Sequence, residues 1–178
     1  VVGVPTDKSW VIGRNFDFEP GFNFDRDKII KWVFPAEGQA YVSIAWAGLV
    51  GVVTGVNQKG VFVSINAADS QDGRRIGTPT TLVALKILEE AKDARDGLRL
   101  LQDSKMFITA IFVVGDSFGR FYRVEKSPEK MSTLEYKEPA VVTNHLITPE
   151  FENDRINQNR KRELTSVARE TRGLSLVR

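Results

Sequence analysis

Val61-Phe62-Val63-Ser64-Ile65-Asn66 is the stretch that decides the fold. In an extended chain Val61, Val63 and Ile65 share one face, while Phe62, Ser64 and Asn66 share the other. Apolar residues on both faces imply a sheet covered on both sides. Asn57-Gln58-Lys59-Gly60 supplies a tight turn just before it. Working backward, the segments from Gly48 to Val53, Tyr41 to Trp46, Lys28 to Phe34 and Trp10 to Ile12 read as further strands. Pro20-Gly21, Pro35 and Gly38 punctuate them.

Working forward, the period changes at Thr78-Pro79, read as an N-cap followed by the first helical residue. Leu82, Leu85, Ile87, Leu88 and Ala91 recur at helical spacing, with Lys86, Glu89, Glu90 and Lys92 largely on the other face. A second helical piece starts at Asp93 or Asp96 and runs to Leu101. Strands resume from Phe107 to Val114 and from Arg120 to Glu125, joined by the hairpin signal Gly115-Asp116-Ser117-Phe118-Gly119. Ser132 to Tyr136 and Ala140 to Thr143 read as short strands, and Asn157 to Glu170 as one late helix. Strands, a helix pair, strands and a helix, with no repeat or low-complexity linker, describe a single α+β domain over residues 1–178.

At 178 residues, 42% apolar and 27% charged, the chain has the composition of a globular domain. Its net charge of +2 is scattered, with small clusters only at Arg74-Arg75 and Arg160-Lys161-Arg162, which argues against nucleic-acid binding. The longest apolar stretch, from Tyr41 to Val56, is interrupted by Ser43, Gly48, Gly51, Thr54 and Gly55. No membrane span is expected there. A homo-oligomer is compatible with this composition. The absence of cysteine excludes disulfides, thiolate metal sites and a cysteine nucleophile within these residues.

The search for chemistry is short. His145 is the only histidine, which excludes histidine-rich metal sites, and no phosphate-binding loop is present. Gly115-Asp116-Ser117-Phe118-Gly119 has the form Gly-x-Ser-x-Gly but joins two strands as a hairpin, not a strand to a helix as a nucleophile elbow does. Three features are odd for a plain β-domain: Arg14 and Asp17 at a strand end among aromatics, Asn66 closing an apolar strand, and Thr143-Asn144-His145 interrupting another. Taken alone, each asparagine reads as a turn residue satisfied by backbone, and Arg14 with Asp17 as a surface or structural pair.

Together these segments resemble a known family. Gly13-Arg14-Asn15-Phe16-Asp17, followed by Gly55-Val56-Asn57-Gln58-Lys59-Gly60 and the strand to Asn66, is similar to the cysteine N-terminal-nucleophile (Ntn) hydrolases. The nearest branch is the acyl-CoA:6-aminopenicillanic acid acyltransferase family, with choloylglycine hydrolases and penicillin V acylases more distant. Gly77-Thr78-Pro79, the Val114–Gly119 hairpin, Val142-Thr143-Asn144-His145 and Asn157-Gln158-Asn159-Arg160 match further motifs in the same order, so the likeness spans nearly the whole chain.

The resemblance implies an αββα sandwich of two antiparallel sheets with helices outside. It also implies an amide hydrolase or acyltransferase that processes itself autocatalytically and needs no metal or organic cofactor. In such enzymes an N-terminal cysteine attacks an acyl group, with its own α-amine as general base. Asp17 would then orient that amine, Arg14 would favour the thiolate, Asn66 and Asn144 would form the oxyanion hole, and Arg160 would complete the polar network. A solvated helix face is the other reading of Arg160, and Arg162 competes with it. The substrate would be a small-molecule acyl amide or acyl-CoA, with Phe16, Phe18, Phe22, Phe24 and Trp46 either lining an acyl site or packing a core. The missing cysteine departs from the pattern. By the family's spacing the nucleophile lies a few residues before Val1, so the expectation is a fold incomplete at both ends. The alternative is a non-catalytic relative serving as a binding or structural domain.

Overall fold

The computed structural model describes residues 1–16, 27–74 and 76–177. These residues form ten strands and four α-helices. A seven-stranded antiparallel sheet runs in chain order through β3 (Lys28–Val33), β4 (Tyr41–Trp46), β5 (Thr54–Asn57), β6 (Phe62–Ala67), β7 (Ala110–Gly115), β8 (Phe121–Lys126) and β9 (Met131–Glu135). A smaller sheet places β1 (Val2–Pro5) between β10 (Ala140–Val141) and β2 (Trp10–Gly13).

Alternation within the central strands builds two separate cores. Val63 and Ile65 of β6, with Ala110, Phe112 and Val114 of β7, face helices α1 (Thr80–Glu90) and α2 (Ala94–Asp103). Ile111 and Val113 of β7 and Phe121 of β8 face the smaller sheet, where Trp10 stacks on Phe121 at 4.5 Å. Burying each such side chain contributes about 1.5–3 kcal/mol. Helix α4 (Ser166–Val177) covers β10 from the far side, Gly173 lying against Val141. The order helix pair, large sheet, small sheet, helix is the expected αββα sandwich. Toward β3 and β4 the inner face of the large sheet stays open, with Ile30, Trp32 and Ile44 exposed.

Several elements fall elsewhere than expected. The stretch from Gly48 to Val53 is a loop, because Gly48 and Gly51 both take positive φ and Val52 N–H bonds the Thr81 carbonyl. Helix α1 starts at Thr80, not Pro79, because Thr78 N–H is held by the Lys105 carbonyl at 2.7 Å. The late helix is two: α3 (Arg155–Glu163) ends where Leu164 turns extended, and α4 begins at the buried Ser166.

Two of the recurring motifs are scaffold. Asn57 is buried, its Nδ2 donating to the carbonyls of Leu88 and Ala91 at the end of α1 while Oδ1 accepts from Lys59 N and Val61 N. Asp116 caps α2 through Ala94 N at 2.9 Å and closes its own hairpin through Phe118 N and Arg120 N.

Candidate active site

The site forms where β1 and β10 run past the end of β6. The β1–β10 ladder pairs Val2 with Val141 and continues one step beyond the strands. Val1 donates its amine to the Val142 carbonyl, and Val142 N donates to the Val1 carbonyl, both at 2.8 Å. Asn66 ends the inner face of β6 and points at the same place. Its Nδ2 donates to the carbonyls of Val142 (3.0 Å) and Thr143 (3.1 Å). The Val1 backbone nitrogen and the Asn66 amide therefore meet on one carbonyl oxygen.

Arg14 follows β2 and crosses to the large sheet. Its guanidinium donates to the carbonyls of Val53 (2.7 Å) and Ile65, and its Cζ lies 4.7 Å from the Phe16 ring centre. A fixed cation is thereby set into the cleft wall. Asn144 closes the other side, with Nδ2 donating to the Ala67 carbonyl and Oδ1 accepting from Arg169 Nη2, both at 3.0 Å. Val1, Arg14, Asn66, Asn144 and Arg169 line one cleft of about 400 Å³. Arg14, Asn15, Phe16 and Val53 are shared with an adjoining hollow of about 230 Å³ bounded by Ile44 and Trp46, where Phe16 and Trp46 sit 5.4 Å apart.

Of the residues singled out in the sequence, Arg14, Asn66 and Asn144 converge beside the amino end. Asp17 lies outside the described residues, as do Phe18, Phe22 and Phe24. Arg160 does not line the cleft. It projects from α3 to Asp69 at 2.8 Å, and Asp69 is itself at the cleft rim. Asn157, one turn earlier on α3, exchanges hydrogen bonds with the backbone of Leu146.

Sequence reasoning missed Arg169 and the buried ion network beneath Asn144. Arg123 and Glu125 of β8 are fully buried and bonded at 2.7 Å. Glu125 accepts from Ile147 N, Thr148 N and Thr148 Oγ1, and Arg123 also bonds the His145 carbonyl. Glu170 of α4 takes the Thr143 hydroxyl at 2.9 Å and Arg123 Nη1 at 3.4 Å. Arg123 and Glu125 share a strand face with Phe121, so a sheet covered on both sides already implied that these charges are buried and paired. Arg169 carries no such signal among the many arginines around it. His145 is buried, its Nδ1 sitting 3.1 Å from Thr143 Oγ1. Burial holds its pKa below the usual histidine value, opposed by Glu170.

Among the described residues no cluster of three or more metal-ligating His, Asp or Glu side chains forms, and no helix is long and apolar enough to cross a membrane.

Residues 4–171 match the family described as acyl-coenzyme A:6-aminopenicillanic acid acyl-transferase. An uncharacterized protein of Archaeoglobus fulgidus is 24% identical over 166 residues, covering 79% of this chain and 28% of that protein. Among solved structures, the Caenorhabditis elegans ortholog of N-acylethanolamine-hydrolyzing acid amidase superposes with a TM-score of 0.66 at 15% identity, over 99% of this chain and 83% of that one. The conjugated bile acid hydrolase of Clostridium perfringens gives 0.63 at 16%, over 85% of this chain and 55% of that one. Penicillin V acylase of Agrobacterium tumefaciens gives 0.57 at 17%, over 93% and 57%. At these identities the likeness carries the fold alone. The chain spans about a quarter of the curated relative's length and little more than half of the latter two structures.

Proposed function

The chain belongs to the acyl-coenzyme A:6-aminopenicillanic acid acyl-transferase family, and on that premise we propose that it builds the cleft of an enzyme that cleaves or transfers the acyl group of a linear amide or thioester. The nucleophile is an N-terminal cysteine a few residues ahead of Val1. One observation carries this reading: Val1, Arg14, Asn66 and Asn144 line a single cleft, with the Val1 backbone nitrogen and the Asn66 amide on the same carbonyl. Antiparallel pairing of Val1 with Val142, carried one step further, brings the residue before Val1 opposite Thr143, next to the bend at Asn144.

A cysteine brought to this place has what acyl transfer requires. Its α-amine, which titrates near neutrality, takes the thiol proton as sulfur attacks the carbonyl carbon. The cationic Arg14 favours the thiolate, and Asp17 orients the amine. The carbonyl π electrons move to oxygen, where amide N–H donors stabilise the oxyanion without a competing charge. Both amide hydrogens of Asn66 are engaged by Val142 and Thr143, whereas Asn144, which lines the same cleft, gives Nδ2 a single acceptor among the described residues, the Ala67 carbonyl. Asn144 is therefore the main donor, and Asn66 chiefly holds the Val142–Thr143 backbone. Collapse of the intermediate passes the proton from the ammonium to the leaving amine and leaves an acyl-thioester. Water or a second amine then resolves it. The acyl chain lies toward Phe16, Ile44 and Trp46, the apolar side of the paired cavities.

The test uses full-length, cysteine-led protein with penicillin V and a set of N-acyl amides, following product and the acyl-enzyme by mass. Turnover should depend on the cysteine, and Asn144→Ala should lower kcat by about 10²–10³-fold, with a smaller loss for Asn66→Ala. A folded, cysteine-led protein that acylates on none of these compounds would reject the enzyme and favour the non-catalytic relative.

A further inference from the structure

We propose that Arg169 is a positioning residue for this acyl transfer, holding the Asn144 carboxamide with its N–H edge toward the cleft; the proposal rests on the reading of Asn144 as oxyanion donor. A carboxamide has nearly the same shape in its two flipped orientations, and only its partners decide which edge faces where. Asn144 lies between partners of opposite and unambiguous character. The Ala67 carbonyl can only accept, so it takes Nδ2–H at 3.0 Å. The Arg169 guanidinium has donors and no acceptor, so it takes Oδ1, also at 3.0 Å. With both in place a single orientation satisfies every atom. Without Arg169, Oδ1 loses its partner. The flip is then opposed by the Ala67 carbonyl alone, and the flipped amide would put a partial negative charge where the oxyanion develops.

The rest of α4 is built to keep Arg169 at this task. Its Nε donates to Thr165 Oγ1 at 3.3 Å, one turn earlier. The next residue, Glu170, accepts from the Thr143 hydroxyl and amide and is anchored by the buried Arg123. Two consecutive residues of α4 thus grip two consecutive residues of the site loop. Arg169 itself is exposed, so its hydrogen bond adds little to folding stability and its loss should register in rate.

Kinetics of the full-length, cysteine-led protein test this with penicillin V, which carries a carboxylate, and a neutral N-acylethanolamine. Arg169→Met should lower kcat about ten- to a hundredfold on both, with KM within about twofold, unchanged thermal midpoint and partial recovery in Arg169→Lys. In an Asn144→Ala background Arg169→Met should change kcat by less than about twofold, because its target is gone. Losses that multiply in the double variant overturn the proposal, as does a wild-type kcat for Arg169→Met. A KM rise confined to penicillin V overturns it in favour of direct substrate binding by Arg169. If Asn144→Ala keeps wild-type kcat, the functional reading of Asn144 fails first. A damaged Asn144→Ala beside an innocuous Arg169→Met removes only the present inference.

Discussion

Four asparagines show how one residue type serves the scaffold and the site. Asn57 and Asn157 spend both amide ends on backbone groups and lock the end of α1 and the loop at Leu146. Asn66 gives its donor end to two carbonyls, whereas Asn144 gives its donor end to one among the described residues and lines the cleft. His145 next to it is scaffold of another kind, buried under the same loop. Its folded pKa lies below the ordinary value of about 6.5 because burial disfavours the charged form, although Glu170 pulls the other way. Below that ordinary value the unfolded chain takes up a proton that the folded one refuses. The His145 contribution is therefore fully present above pH about 6.5 and is lost as pH falls through the depressed folded value. Urea midpoints measured from pH 7.5 down to 4.5 (about the range in which histidine titrates) should fall less steeply for His145→Gln than for wild type. Parallel curves would remove His145 as the source. The asparagine pattern also marks the limit of sequence reading: Asn66 and Asn144 stand out within apolar strands and Asn57 opens a turn, and only hydrogen-bond partners show what each one holds.

At the scale of elements, α4 does what its sequence does not announce. From Asn157 onward no Gly or Pro interrupts the helical pattern before Gly173, so a single helix was the natural reading. The break at Leu164 is tertiary: Ser166 is buried and Glu170 is drawn to Thr143 and Arg123, which swings α4 onto β10. Strands β3, β4, β6, β7 and β8 were legible within a few residues because alternation and turn residues agree there. The β1 strand was not, since four residues in a three-stranded sheet leave too little pattern to read. Close approach of α4 to β10 depends on Gly173, where an added Cβ would come within 2.9 Å of a Val141 methyl. Gly173→Ala should cost about 1–3 kcal/mol by overpacking and lower kcat as well, because the displaced helix carries Arg169. Adding Val141→Ala should restore both. Recovery of the urea midpoint without recovery of kcat would separate α4 packing from the site.

For the whole molecule, the four layers matter because the cleft belongs to none of them singly. Val1 and Asn144 come from around the small sheet, Asn66 and the carbonyls under Arg14 from the large one, and Arg169 from the outer helix. What ties these layers behind the cleft is ionic: Arg123 on the large sheet bonds Glu125 beside it, the His145 carbonyl, and Glu170 on the far helix. Such a network is costly to desolvate, so its net stabilising value is small, yet removing one partner strands the others. Arg123→Met should therefore destabilise the full-length protein by about 3–5 kcal/mol, read as a drop in urea midpoint, and should slow turnover by releasing the loop that carries Asn144. Replacing Glu125 by Met as well removes the stranded charge between the sheets. The double variant should then be more stable than Arg123→Met alone while remaining slow, since Ile147 and Thr148 now lose the carboxylate that held them. Two single losses that simply add would mean that the pair is not one unit, and a double variant with wild-type kcat would mean that the network does not set the loop.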